Sequence, residues 1–407
     1  MEQLPDNVSL DYLNQVLNTY HRSHPLFSKL FCQEAVAKRF NFSDWKDLRS
    51  YISIVEVGEM TTLEKAIIED DVSKVKKIVN NDRNILKREV HWKNRRRHNH
   101  LLPLGYAAYC GSSNSILALI EMGADIHAYD EQALRNAVYF DRNIESAKLL
   151  LELGADPHAT YSNANGVTYE IVDYPCMTLA PKMLDLLSTY GVELEDKHAG
   201  ILLSTNARRP ADKAECLLIL TNHGVVFPDT PVFFVHMRDE EKLRSFFSSK
   251  STRINSFYNQ EDIFPDKFGI SKPPVYAYVV PLLFGVTLLH MAVEFCDQLM
   301  VDLLIELGAD VNSKTVMDSF GCGGWTPLFH SVATLHQPRN FGGIVETLIE
   351  NGADPQIRAS ICKHYSENIQ DSVTWKNVTV MEFVNELQED DLRNETAIEF
   401  IRSKMKL

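Results

Sequence analysis

Leu150-Leu151-Glu152-Leu153-Gly154-Ala155-Asp156-Pro157 is the stretch whose reading decides the fold, because it recurs. Leu304-Ile305-Glu306-Leu307-Gly308-Ala309-Asp310-Val311 repeats it, as do Leu119-Ile120-Glu121-Met122-Gly123-Ala124-Asp125-Ile126 and Leu348-Ile349-Glu350-Asn351-Gly352-Ala353-Asp354-Pro355. Weaker copies begin at Leu186 and Ile219 and carry Gly191 and Gly224. The pattern has a local physical meaning. An apolar pair ends a helix and buries against a neighbour. Glycine follows in the left-handed position, where a side chain costs energy, so each of these glycines is expected at positive φ. Ala-Asp then turns the chain into a loop.

Upstream of the strong copies stands a second phrase. It reads Thr287-Leu288-Leu289-His290-Met291-Ala292 in one unit and Thr326-Pro327-Leu328-Phe329-His330-Ser331 in another. It decays to Leu102-Pro103-Leu104-Gly105-Tyr106-Ala107 and Gln132-Ala133-Leu134-Arg135-Asn136-Ala137. Proline in a first helical turn pre-sets the backbone. The two phrases together resemble the ankyrin repeat, T-P-L-H-x-A followed by L-L-x-x-G-A-D. The glycine spacings of 31, 37 and 33 fit its period of about 33 residues, and the wider gaps of 84 and 44 hold units plus insertions. The resemblance is strong near 100–128, 131–160, 285–312 and 324–356. It is moderate near 61–84, on Thr62, Leu63 and Ala66, and weak near 166–195, 198–228 and 230–255. It implies an all-α ankyrin solenoid of about eight helix-turn-helix units over 61–356. A helical N-terminal cap over 1–57 and a loop with a helical C-terminal cap over 357–407 are expected to flank it. Arg208-Arg209-Pro210 interrupts the fifth unit, where irregular stacking is expected.

The insertions say more about function than the repeats do, since repeat arrays place insertions on one face, often the binding face. The first, 86–99, reads LKREVHWKNRRRHN. Residues 87–100 carry a net +5 while the whole chain carries −14. Arg95, Arg96 and Arg97 beside Trp92 suit an acidic partner, a phosphate or RNA. The plainer reading is a solvated loop, or one folded onto the protein's own acidic surface. The second, 255–284, combines Pro265, Pro273, Pro274 and Pro281 with Phe257, Tyr258, Phe264, Phe268, Tyr276 and Tyr278, and is expected to pack as an ordered loop or to offer a binding patch. The third, 313–324, clusters Gly321, Gly323 and Gly324 around Cys322 and reads as a tight turn into the next repeat. The fourth, 358–377, carries His364, Tyr365 and Trp375.

At the N-terminus, Leu10, Leu13, Val16 and Leu17 sit at helical spacing, and Ser43 can cap a short helix bearing Trp45, Leu48 and Ile52. Together with Ala35, Ala37 and Phe40 these resemble a lead-in found ahead of ankyrin arrays in some bacterial proteins. Residues 380–407 read as one or two amphipathic helices with an acidic outer face, as a polar array cap requires.

The acidic balance argues against a general nucleic-acid or anionic-membrane binder. The seven cysteines, 32, 110, 176, 216, 296, 322 and 362, form no C-x-x-C pair. They read as buried thiols in a reducing compartment, with neither a disulfide framework nor a zinc site. No signal-peptide pattern opens the chain, and the most apolar stretch, 275–289, is too short to span a bilayer. A cytoplasmic address follows, with a signal-peptide-independent secretion route as the variant. No H-E-x-x-H, G-x-S-x-G, Walker A or kinase pattern is present. His290 and His330 are expected to hydrogen-bond the turns between units. Hence no catalytic, cofactor or metal residue is proposed at this stage. The expected function is protein binding by a monomer through the concave face and loop tips. The partner-contact residues are Trp92, Arg95, Arg96, Arg97, Tyr161, Asn163, Phe320 and Trp325. The alternative is a secreted bacterial effector that targets a host protein, with an activity in an insertion or terminus.

Overall fold

The computed structural model describes residues 9–25, 27–39, 45–46, 48–49, 52, 62–87, 90, 93–94, 97–98, 101–163, 166–205, 207–248, 253–269, 283–332, 342–364, 372–387 and 393–405. The chain divides into two compact units, Met1–Ile171 and Val172–Leu407. Among the described residues no helix is long and apolar enough to cross a membrane.

The first unit opens with the helices Leu10–Ser23 and Lys29–Arg39, whose inner faces enclose a core of Leu13, Leu17, Cys32, Val36 and Ala37. Trp45, Leu48 and Ile52 close the same core. Ser9 caps the first helix by accepting from the Tyr12 amide. Three helix pairs follow: Thr62–Ile68 with Val72–Asn81, Pro103–Cys110 with Ser113–Glu121, and Ala128–Ala137 with Ile144–Glu152. First helices pack on first helices and second helices on second helices.

In the second unit five pairs follow one another: Asp173–Thr178 with Pro181–Thr189, Asp196–Ser204 with Pro210–Asn222, Pro231–His236 with Glu240–Ser248, Leu288–Glu294 with Gln298–Glu306, and Pro327–Val332 with Gly342–Glu350. A last pair, Val380–Glu386 with Glu395–Met405, packs on the fifth and closes the stack. Asn394 fastens it by donating from its amide and side chain to the carbonyls of Val332 and Ser331. The fold is thus mostly helical, with three two-stranded hairpins as its described sheet.

Each G-A-D phrase ends a second helix in the same way. Gly123, Gly154, Gly308 and Gly352 have φ of 98°, 99°, 94° and 90°. The following alanine amide reaches back to the first leucine of its phrase at 2.9–3.0 Å, as from Ala124 to Leu119 and from Ala155 to Leu150. The aspartate then folds the loop. Asp125, Asp156, Asp310 and Asp354 each accept from the amide two residues on.

First helices end with the same six-to-one bond but mostly without glycine. Asp70, Leu179, Arg238 and Cys296 take the left-handed position, with φ of 51°, 53°, 55° and 61°. Among the described residues only the second pair of the first unit uses a glycine there, Gly111.

The described part of the second insertion is mixed, with Phe257 and Phe284 exposed and two other aromatics packed. Phe268 and Phe264 are buried, and Phe268 stacks near Phe227 and Phe233 at 5.3 and 6.1 Å. Its residues 270–282 lie outside the described residues. The fourth insertion is a hairpin, β5 (Ala359–His364) paired antiparallel with β6 (Ser372–Val378). Trp375 is buried edge-on to Phe383, 5.1 Å away.

Two expectations need correction. Cys322 and Cys362 are joined as a disulfide across 40 residues, so not every cysteine is a free thiol. The two lie in different insertions, and their meeting depends on the stacking of two repeats, which sequence spacing does not encode. Arg208 also does more than interrupt the array. Its guanidinium is buried and donates to Glu294 at 2.6 Å, 86 residues away, which ties the fifth repeat of the chain to the seventh.

Candidate functional site

In the second unit the loops joining the repeats are laced into a row by backbone hydrogen bonds. Tyr258 and Val286 exchange a reciprocal pair at 2.7 and 3.0 Å. The Val316 amide donates to Gly285 at 3.0 Å, Thr315 donates to Trp325, and Gly324 donates back to Thr315. Gly323 and Ser360 exchange a second reciprocal pair, which carries the row onto β5. Two glycines permit this closeness. A Cβ on Gly285 would stand 2.5 Å from the Val316 Cβ, and one on Gly323 would run into the Val316 carbonyl.

Residues 315–325 form a finger on this row. Asp318 folds its tip: the carboxylate accepts from the amides of Phe320 (2.9 Å) and Cys322 (2.8 Å), while its own amide donates to the Cys322 carbonyl. The backbone is therefore fixed from both sides, yet the side chains at the tip point into solvent. Phe320 is 62% exposed and Met317 56% exposed. Val316, Phe284 and Phe257 are also exposed, on this and the neighbouring rungs. Single exposed apolar residues need no explanation, but two large ones three residues apart on a fixed backbone are how interfaces present anchors.

Phe320 and Trp325 do fall on one finger, but on opposite sides of it. Trp325 is 2% exposed, which corrects its expected role as a contact. Its carbonyl instead accepts from His290 Nε2 at 3.1 Å. Since that nitrogen donates, His290 Nδ1 is the acceptor for the Thr287 hydroxyl (2.9 Å) and amide (3.3 Å). Burial drives its pKa down to about 3, so it is the neutral imidazole that joins the two repeat turns. His330 departs from this pattern. Its Nδ1 donates to the buried Glu294 carboxylate at 2.9 Å rather than to a turn.

In the first unit Tyr161 lies on β3 (Thr160–Ser162), opposite Tyr169 of β4 (Thr168–Glu170). The Arg135 guanidinium sits over its ring at 3.9 Å. The same guanidinium donates to the carbonyls of Tyr129 and Asp130, inside a left-handed run over 129–131. Asn163 closes the β3–β4 turn, its side chain accepting from the Val167 amide at 3.0 Å. Both residues therefore shape their hairpin. Trp92, Arg95 and Arg96 lie outside the described residues. Arg97 is placed by its backbone alone, in β2 (Arg97–His98) opposite Asn94 of β1 (Lys93–Asn94).

A cavity of about 340 Å³ opens between the second-unit repeats, walled by Arg209, Asp212, Arg238, Cys296, Asp297 and Ile344 among others. Each arginine already has its carboxylate: Arg209 with Asp212 at 3.0 Å and Arg238 with Asp297 at 3.1 Å. Among the described residues no histidine lines the wall beside the thiol, and burial pushes the Cys296 thiol well above its usual range. Such a wall is paired for structure and poorly suited to nucleophilic chemistry. Beneath it Lys213 is buried with its ammonium nitrogen 3.8 Å from the Phe295 ring centre, and burial holds its pKa well below the ordinary lysine value.

Sequence reasoning missed Met317, Val316 and Phe284, while Phe257 belongs to the insertion read as a packed loop or a binding patch. A signal for the finger was present in Asp318-Ser319-Phe320-Gly321, an Asx-turn sequence ahead of a glycine cluster, with an aromatic at its tip.

Residues 284–316 match the family model of the ankyrin repeat. No curated protein matches the chain. Among solved structures it is similar to the crystal structure of the human ASB11 ankyrin repeat domain. The two are 16% identical over 74% of this chain and 97% of that one, with a TM-score of 0.29, too low for any detail to be carried across. The matched repeat contains Thr287, His290 and the phrase ending in Gly308-Ala309-Asp310, and the same helix ending recurs at Gly123, Gly154 and Gly352: residues 284–316 are an ankyrin repeat set in a stack of similar helix pairs.

Proposed function

We propose that this protein is a protein-binding module whose main contact is the finger at 315–325, with Phe320 and Met317 as anchors for an apolar pocket on the partner. The observation that carries the reading is that pair of exposed apolar side chains on a backbone fixed by Asp318, Gly323 and the bonds to neighbouring rungs. A fixed loop loses little entropy on binding, so apolar burial there converts efficiently into affinity. The test is affinity capture with mass spectrometry, comparing wild type with Phe320→Ala and Met317→Ala. Both variants should keep their stability to within ~0.5 kcal/mol, as exposed substitutions do. Phe320→Ala should weaken capture of the wild-type partner by about tenfold or more. Equal capture by both variants and wild type would sink the reading.

The basic loop over 86–99 supports a second contact by steering, because it concentrates positive charge in an acidic chain. Changing Arg95, Arg96 and Arg97 together to Ser should leave the melting temperature unchanged and weaken capture, most clearly at low salt. A drop in melting temperature would instead mean that these arginines pair within the protein. A monomer in the cytoplasm is the simplest setting for such a module. Delivery into a host cell as a bacterial effector remains the alternative, and a translocation assay on a reporter fused to the last ~30 residues separates the two.

A further inference from the structure

The disulfide between Cys322 and Cys362 joins the finger to the β5–β6 hairpin, and the two segments have little else in common. Among the described residues their direct backbone hydrogen bonds are the one reciprocal pair between Gly323 and Ser360. The cysteines stand immediately beside that pair, one residue before Gly323 and two after Ser360, with Cα atoms 5.9 Å apart, a separation that suits bridging. Both are more than nine-tenths buried, so the bond forms part of the packing under the finger. The other cysteines offer no competing pair. Cys32, Cys176 and Cys216 are buried and outside any disulfide, and burial pushes the Cys110 thiol up to about 12 and the Cys296 thiol well above its usual range.

We infer that Cys322 and Cys362 form a thiol–disulfide clamp that sets the order of the finger, and with it the readiness of the Phe320 surface to bind. The regulatory half rests on the function proposed above. In the oxidising direction a small-molecule disulfide such as oxidised glutathione takes up two electrons and two protons and leaves as two thiols. One S–S bond forms between Cys322 and Cys362, and one S–S bond of the oxidant breaks. In the reducing direction a thiolate attacks the protein disulfide, a mixed disulfide forms, and a second thiol releases both cysteines. The covalent tie to the hairpin is then lost, and the Asp318 turn and the bonds to Gly285 and Trp325 hold the finger unaided and open more often.

The experiment uses the full chain in glutathione buffers of graded ratio, with thiol blocking, proteolysis and mass spectrometry, and hydrogen exchange at each end state. A linked peptide holding Cys322 and Cys362 should appear on oxidation and vanish on reduction. On reduction, amide protection over 315–324 and 359–364 should fall by roughly tenfold or more, while 288–306 stays unchanged. Cys322→Ser should show the reduced pattern in every buffer. Absence of the linked peptide even in oxidised glutathione overturns the clamp, and so does unchanged protection on reduction. A photo-crosslinker at position 320 tests the link to binding, with bands compared between oxidised and reduced protein. Severalfold fewer crosslinks in the reduced state are expected. If the clamp opens and closes but crosslinking is equal in both states, regulation fails while the partner surface stands. If crosslinks are absent in both states, the function proposed above fails while the clamp stands.

Discussion

Gly154 has nothing within 4 Å of where a Cβ would sit, yet its φ is 99°. Space and backbone conformation therefore make opposite predictions for the same substitution. Gly154→Val should destabilise the first unit by about 1–2 kcal/mol through backbone strain alone. Gly154→Asn should cost less, since asparagine tolerates left-handed backbone better. Urea titration followed by helix signal measures both. A valine variant as stable as wild type would show that the helix can end another way. These glycines were readable because the penalty is local and the same at every repeat. The residues that end the first helices were not. Leu179, Arg238 and Cys296 sit at positive φ without being glycine, and the reason lies in contacts with other repeats. Arg238 pairs with Asp297, and Leu179 is fully buried.

At the level of elements the decisive case is the loop that carries Arg208. In the sequence it reads as an interruption, Arg-Arg-Pro breaking a repeat. In the structure Pro210 starts the helix Pro210–Asn222, Arg209 donates to the Leu179 carbonyl, and Arg208 reaches Glu294. Glu294 holds His330 with its other oxygen, so three repeats share one carboxylate. Arg208→Ala would leave Glu294 buried without its counter-charge. The expected loss is about 3–5 kcal/mol, well beyond that of a surface arginine. Arg244→Ala provides the control. Its pair with Glu306 is geometrically as good, at 2.8 Å, but exposed and screened by water, and its loss should barely move the urea midpoint. Equal effects from the two variants would mean that the buried pair is not a tie between repeats. No sequence spacing announces a contact over 86 residues; it exists because stacked repeats bring distant first helices together. Trp325 and Phe320 teach the same lesson from the other side. Both are aromatic, both sit beside glycines in one insertion, and only the fold decides that one is core and the other surface.

For the second unit as a whole, the buried imidazoles fix how it answers to acid. His290 and His236 are fully enclosed, and burial depresses both. A native pKa below the unfolded one means that the unfolded chain binds protons first. The imidazoles' share of the stability is therefore complete above pH 6.5 and is lost as pH falls below it, for His290 until about pH 3. Lys213, depressed in the same way, pulls in the same direction between its native and unfolded values. Asp297, raised by burial, opposes the trend only nearer the carboxylate range. His290 contributes about 1.4 kcal/mol per pH unit below 6.5, so the urea-derived stability should fall by about 1 kcal/mol or more between pH 7 and 5.5, with His236 acting in the same direction. His236→Phe should flatten that profile. A profile already flat in the wild type would show that the imidazoles are charged or reached by water.

The bridge between Cys322 and Cys362 has a mechanical consequence as well. A stack of repeats pulled from its ends gives way unit by unit, and each unit pays out its residues as extended chain. With the bridge closed, the 40 residues between the two cysteines cannot lengthen under load. At about 3.5 Å per residue they shorten the fully stretched chain by roughly 140 Å. Held between two beads, oxidised and reduced molecules would differ in final contour length by that amount, with the missing length taken from the release of a single repeat.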